Sequence, residues 1–171
     1  MTTRTLVTVL ASLAISSALS GCGDPGPASR SIALTNMPDG PVLVIIPCDK
    51  KDEAISEVRV MNGADPWASA DWVVNVGEER QRFELELDSI SGLLTRGSTS
   101  ALEDLSAPLA VQTYMAGDDG GVVGVVGFSD MPDPGKFEIA DSDQIIGHTI
   151  SVTRSEFERA AAAECSEQMS R

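Results

Sequence analysis

Apolar and polar residues alternate along most of this chain in short runs of period two, the pattern of strands with one wet face. Ser31 to Asn36 makes a first candidate strand. Val42-Leu43-Val44-Ile45-Ile46 is apolar throughout and suits a strand buried on both faces, ended by the polar turn Pro47 to Asp52. Ile55 to Met61 sets Val58 and Val60 against Glu57 and Arg59. Asn62-Gly63 and Asp65-Pro66 then mark a loop. Trp72, Val74 and Val76 alternate with Val73 and Asn75, while Phe83, Leu85 and Leu87 alternate with Arg82, Glu84, Glu86 and Asp88. With Gly77-Glu78-Glu79 as the turn, the two runs predict a hairpin, with Arg-Glu pairs across its wet face.

Val111 to Met115 and Val122 to Phe128 are further strands, and Lys136 to Ala140 reads as a short edge strand. Residues 88–110 leave two readings open, a brief helix from Ala101 to Ser106 capped by Ser100 and Glu103, or a long connection. His148 to Thr153 alternates as a last strand. A helix follows, for which Ser155 and Glu158 have capping-box spacing. Phe157, Ala161 and Cys165 recur every fourth residue, which puts them on one buried face. Many short strands with turns between them and no βαβ alternation predict a mainly β fold. The expected architecture is an antiparallel β-sandwich or open barrel with one C-terminal helix packed on it.

The first 30 residues follow another logic. After Arg4, the stretch Leu6 to Leu19 is uncharged and mostly apolar, 14 residues long. That is the length of a signal-peptide core and short of the ~20 residues a membrane-spanning helix needs. Leu19-Ser20-Gly21-Cys22 follows, and this quartet resembles the lipobox of bacterial lipoproteins. The resemblance implies that the Cys22 thiol carries a diacylglycerol and that residues 1–21 are cut away as a signal peptide. Residues 22–30 are rich in Gly, Pro and Ser and read as a flexible tether, with a single globular domain over 31–171. The layout as a whole is similar to small exported lipoproteins of high-GC Gram-positive bacteria, most of them without an assigned function. Lipobox, Cys after a buried strand, Trp-led hairpin and Cys-ended helix carry that likeness. It implies a location on the outer face of the cell membrane, held there by the lipid on Cys22, and it brings no catalytic residue with it.

Composition narrows the functions available. The chain has 26 acidic and 12 basic residues, a net charge of −14 that becomes −15 if Arg4 leaves with residues 1–21. A nucleic-acid binder needs a basic stripe, and there is none. Once Cys22 is set aside for lipid, Cys48 and Cys165 remain. In an oxidising compartment two thiols most simply form one disulfide, and a helix laid on the sheet brings Cys165 toward the end of the strand before Cys48. Two free thiols are the alternative.

Candidate chemistry is sparse, and no cofactor signature is present. His148 is the only histidine, it shares a strand face with Ile150 and Val152, and no Gly-x-Ser-x-Gly elbow accompanies it. One His and two paired Cys leave no tetrahedral zinc set. Gly121-x-x-Gly124-x-x-Gly127 lacks the phosphate-loop pattern and reads as small residues where another backbone comes close. Asp130, Asp133, Asp141 and Asp143 crowd one stretch without a calcium-loop motif and read as solvated carboxylates. Trp72 belongs to the apolar face of its strand, whereas Trp67 stands in a loop as a candidate ligand-binding residue. These features predict a non-catalytic cell-envelope module for an unidentified protein or glycan partner, with a small secreted hydrolase using His148 as the alternative.

Overall fold

A computed structural model describes residues 28–48, 54–63, 69–79, 81–87, 94–97, 108–116, 121–141 and 147–170. Cys22, Trp67, Asp143 and the 101–106 segment lie outside these residues. Among the described residues, ten strands and one helix follow in order: β1 (Ile32–Met37), β2 (Gly40–Ile45), β3 (Ile55–Asn62), β4 (Trp72–Glu79), β5 (Phe83–Glu86), β6 (Leu94–Arg96), β7 (Leu109–Met115), β8 (Val122–Phe128), β9 (Phe137–Ala140), β10 (Thr149–Val152) and α1 (Arg154–Met169). They form two five-stranded antiparallel sheets, ordered β10-β9-β1-β2-β5 and β6-β4-β3-β7-β8. The chain is a β-sandwich with one C-terminal helix, not a closed barrel.

The two faces of the first sheet explain the unbroken apolar run of β2. Leu43 and Ile45 join Ile32, Leu34 and Leu85 in the core between the sheets, opposite Val58, Val60, Trp72, Val74, Val111 and Phe128. Val42 and Val44 point the other way, into a second cluster with Ala33, Ile139, Phe137, Phe157 and Ala161. The helix therefore covers the outer face of the first sheet, and the Phe157 ring stacks on Phe137 with centroids 5.6 Å apart. Three layers result, and among the described residues no helix lies on the outer face of the second sheet.

The expected 72–87 hairpin does not form. β4 pairs with β3 and β6, whereas β5 pairs with β2 in the other sheet, Leu85 opposite Leu43. The residues between them carry the chain across the sandwich. Both strands still bury the faces their alternation predicts, because period two specifies a buried side and not a partner. β4 also runs on through Gly77, which takes a positive φ of 79°. β9 is not an edge strand: it lies between β1 and β10. The 88–110 stretch contains the short strand β6.

Two local assignments also differ. The helix is capped by Thr153, whose side chain accepts from the Glu156 backbone while Glu156 accepts from the Thr153 backbone. Thr153-x-x-Glu156 has the same spacing as Ser155-x-x-Glu158, and β10 ends just before Thr153, so the first box is used. Glu158 instead accepts from Arg82 at 2.7 Å, tying the helix to the residue just before β5. Ala28 and Ser29, expected at the end of the tether, are buried. Ala28 bridges Val125 in parallel, and the Ser29 amide donates to the Val125 carbonyl at 2.9 Å. This short strap lies on β8 directly over Gly124, where a Cβ would come within 2.7 Å of the Ser29 Cβ. Gly124, the middle glycine of the repeat, thus sits at a close approach of two chain segments.

Candidate functional site

Among the described residues, the outer face of the second sheet holds the most developed polar arrangement. Register places four residues in one row across it, Arg96 opposite Val73, Val73 opposite Arg59, and Arg59 opposite Gln112. At strand spacing the two arginine Cα atoms are roughly 10 Å apart, with Val73 as a floor between them. Alternation sends Val58 and Val60 into the core, so Glu57 and Arg59 must face outward. Glu57, Arg59, Ser69, Ala70, Val73, Arg96 and Gln112 line a groove of about 480 Å3.

One end of the groove is held rigid by a hydrogen-bond chain. Arg59 Nε donates to Glu57 Oε1 at 2.6 Å, and Nη1 donates to the Tyr114 hydroxyl at 2.9 Å. The guanidinium also stacks on the Tyr114 ring, 3.9 Å from its centroid. The Tyr114 hydroxyl accepts from Arg59, so its proton goes to Gln112 Oε1, 2.9 Å away. This orientation leaves the Gln112 amide N–H groups for the groove. Gln112 is only 6% exposed, yet among the described residues its amide nitrogen has no hydrogen-bond partner. Arg96 likewise has no ion-pair partner among the described residues. The site is therefore rich in donors, and the carboxylate of Glu57 is already engaged by Arg59.

A second cavity of about 320 Å3 lies where the β1–β2 turn meets β5, between Met37, Pro41 and the carboxylates of Glu84 and Glu86. It confirms the wet face expected for β5. Arg82 pairs with Glu84 at 2.6 Å along that face.

The residues singled out in the sequence are scattered over the molecule. Cys48 and Cys165 are joined by a disulfide, with Cα atoms 5.0 Å apart. It fastens the last turns of α1 to the end of β2. Trp72 is buried in the core as expected, with Gly97 packed against it. His148 sits one residue before the edge strand β10 and is 67% exposed, its Nδ1 3.4 Å from Asp141 Oδ2. Ile150 on the same face is also exposed, so this face is open at the sheet edge and does not bury His148. Asp130, Asp133 and Asp141 are exposed, and the described residues contain no cluster of three or more side chains arranged to hold a metal. No helix among them is long and apolar enough to cross a membrane.

Arg96, Gln112 and Tyr114 were not singled out by sequence reasoning. Arg96 fell in the unassigned 88–110 stretch, and the other two looked like ordinary strand residues. The available signal was weak: two of nine arginines, Arg59 and Arg96, standing within strands of an acidic chain. Comparison of the chain with protein-family models, with curated proteins and with solved structures found no match.

Proposed function

We propose that this chain is a cell-envelope lipoprotein, anchored by lipid on Cys22, whose sandwich is a non-catalytic binding module for a protein or glycan. The contact surface in this reading is the groove between Arg59 and Arg96. What carries the reading is the set of unengaged donors there, on a chain of net charge −14. The Leu19-Ser20-Gly21-Cys22 quartet supports the anchor. Ala28 follows Cys22 by six positions, a span of at most ~20 Å, so the module stands close to the membrane surface. A two-chain lipid holds it there far better than a single chain does.

The test is cross-linking and pull-down of the lipidated protein from its own envelope, beside an Arg96→Glu variant. A partner captured by the wild type and lost with Arg96→Glu supports the reading. Equal capture by both removes the groove from the contact surface. Cys22→Ala should abolish membrane association, and a variant that still fractionates with membranes after a carbonate wash refutes the anchor.

The 3.4 Å approach of His148 to Asp141 favours a second reading, a small secreted hydrolase in which the carboxylate orients the imidazole. No hydroxyl is hydrogen-bonded to His148 among the described residues, which places this reading second.

A further inference from the structure

We infer that the groove on the second sheet binds an oxyanion group, carboxylate or phosphate, borne on a small polar ligand. This inference rests on the reading of that face as the contact surface and names the chemistry it recognises. The donor inventory carries it. Arg96 offers a planar fork of N–H groups, which matches two oxygens of a carboxylate or phosphate. Arg59 has Nε and Nη1 engaged by Glu57 and Tyr114, so its Nη2 remains for a ligand. The Gln112 amide, nine-tenths buried and held by Tyr114, adds a third donor between sheet and groove. Ser69 supplies a hydroxyl at the rim.

Among the described residues lining the groove, the one carboxylate is that of Glu57, and it is already bonded to Arg59. Two guanidinium groups and one carboxylate give the described lining residues an excess of one positive charge. An approaching anion meets the field of a strongly acidic chain, which the two guanidinium groups of this groove offset locally. Preorganisation adds to the case. Arg59 is fixed by two hydrogen bonds and a ring stack, and loses little freedom when a ligand arrives. The volume of about 480 Å3 exceeds a bare ion and suits an anionic group with a polar body attached.

The experiment is calorimetric titration of the full-length protein in uncharged detergent, at constant ionic strength, with inorganic phosphate and separately with glucuronate. At least one should bind saturably with a Kd of roughly 1 mM or tighter, weakening as salt is raised. Binding of phosphate alone identifies a phosphate ligand, and binding of glucuronate alone identifies a carboxylate. Arg96→Gln, at an exposed position that the fold does not need, should weaken binding about tenfold or more. Gln112→Leu should weaken it as well. No saturable binding of either probe, or binding unchanged by Arg96→Gln, overturns the inference. An envelope partner that still depends on Arg96 when neither probe binds overturns the oxyanion chemistry and leaves the contact surface standing. Probe binding through Arg96 without any such partner does the reverse.

Discussion

The Ser29 hydroxyl donates a 3.1 Å hydrogen bond to Glu164 Oε1 across 135 residues of sequence, joining the strap at the start of the sandwich to the helix at its end. Ser29 also lies 2.6 Å from the Ser31 hydroxyl. Beside this pair, Arg30 Nε and Glu164 Oε2 are buried without a hydrogen-bond partner among the described residues. Burial raises the Glu164 carboxyl pKa above its ordinary value, against the bond from Ser29 and the charge of Arg30.

A raised pKa means that the folded state holds the proton more tightly than the unfolded one. The contribution of Glu164 to stability is therefore full below its ordinary pKa of 4.5 and is lost as pH rises through the folded value. Glu164→Gln should gain on the wild type as pH increases over that window and keep the gain at neutral pH. Urea unfolding of both proteins from about pH 4 to 8 reads the difference, and a constant difference across the range contradicts this assignment.

Loss of the Cys48–Cys165 bridge should cost about 2–5 kcal/mol, because the bridge closes most of the chain into one loop. Cys48→Ser and Cys165→Ser should cost similar amounts, since each breaks the same link. Denaturant unfolding measures the loss. Thiol titration of the denatured protein, without reductant, should find neither cysteine free.

Gly124→Ala should destabilise the domain by roughly 1–3 kcal/mol, since the new methyl group falls 2.7 Å from the Ser29 Cβ and 3.2 Å from Ile32 Cδ1. Ser29→Gly removes one of the two obstacles. In a double-mutant cycle the pair should then cost less than the sum of the single changes, and strict additivity would show that strap and strand do not press on each other.

Phe157 is fully buried under the first sheet and stacked on Phe137. Phe157→Ala should cost about 3–5 kcal/mol by emptying the contact between helix and sheet. Circular dichroism and denaturant unfolding report it. Reducing the disulfide of this variant should release the helix further, because packing and bridge are its two main attachments.

His148→Ala should change stability by no more than about 0.5 kcal/mol, as its contact with Asp141 is exposed to solvent. It should also complement a deletion strain as well as the wild type does. Failure of a stably folded His148→Ala protein to complement would move the hydrolase ahead of the binding module.

Local pattern alone determined a good deal of this protein. Alternation at Trp72, Val74 and Val76, and at Phe83, Leu85 and Leu87, identifies the faces that go into the core, because successive side chains of a strand point to opposite sides. The apolar run at Val42 to Ile45 announces a strand covered on both faces, and the spacing of Phe157 and Ala161 announces the helix that covers one of them. Two cysteines, one after that strand and one on that helix, made the bridge legible. Only the tertiary structure decided the partners. Pairing energy is spread along backbones that look alike in every strand, so nothing in 72–87 says that β4 and β5 belong to different sheets. For the same reason β9 becomes an interior strand. The groove is legible only after that assignment. Arg96, Arg59 and Gln112 come from β6, β3 and β7, and they share a row only because β4 lies between the first two and β7 beyond. Their donors converge through pairing between distant strands, which no local pattern encodes.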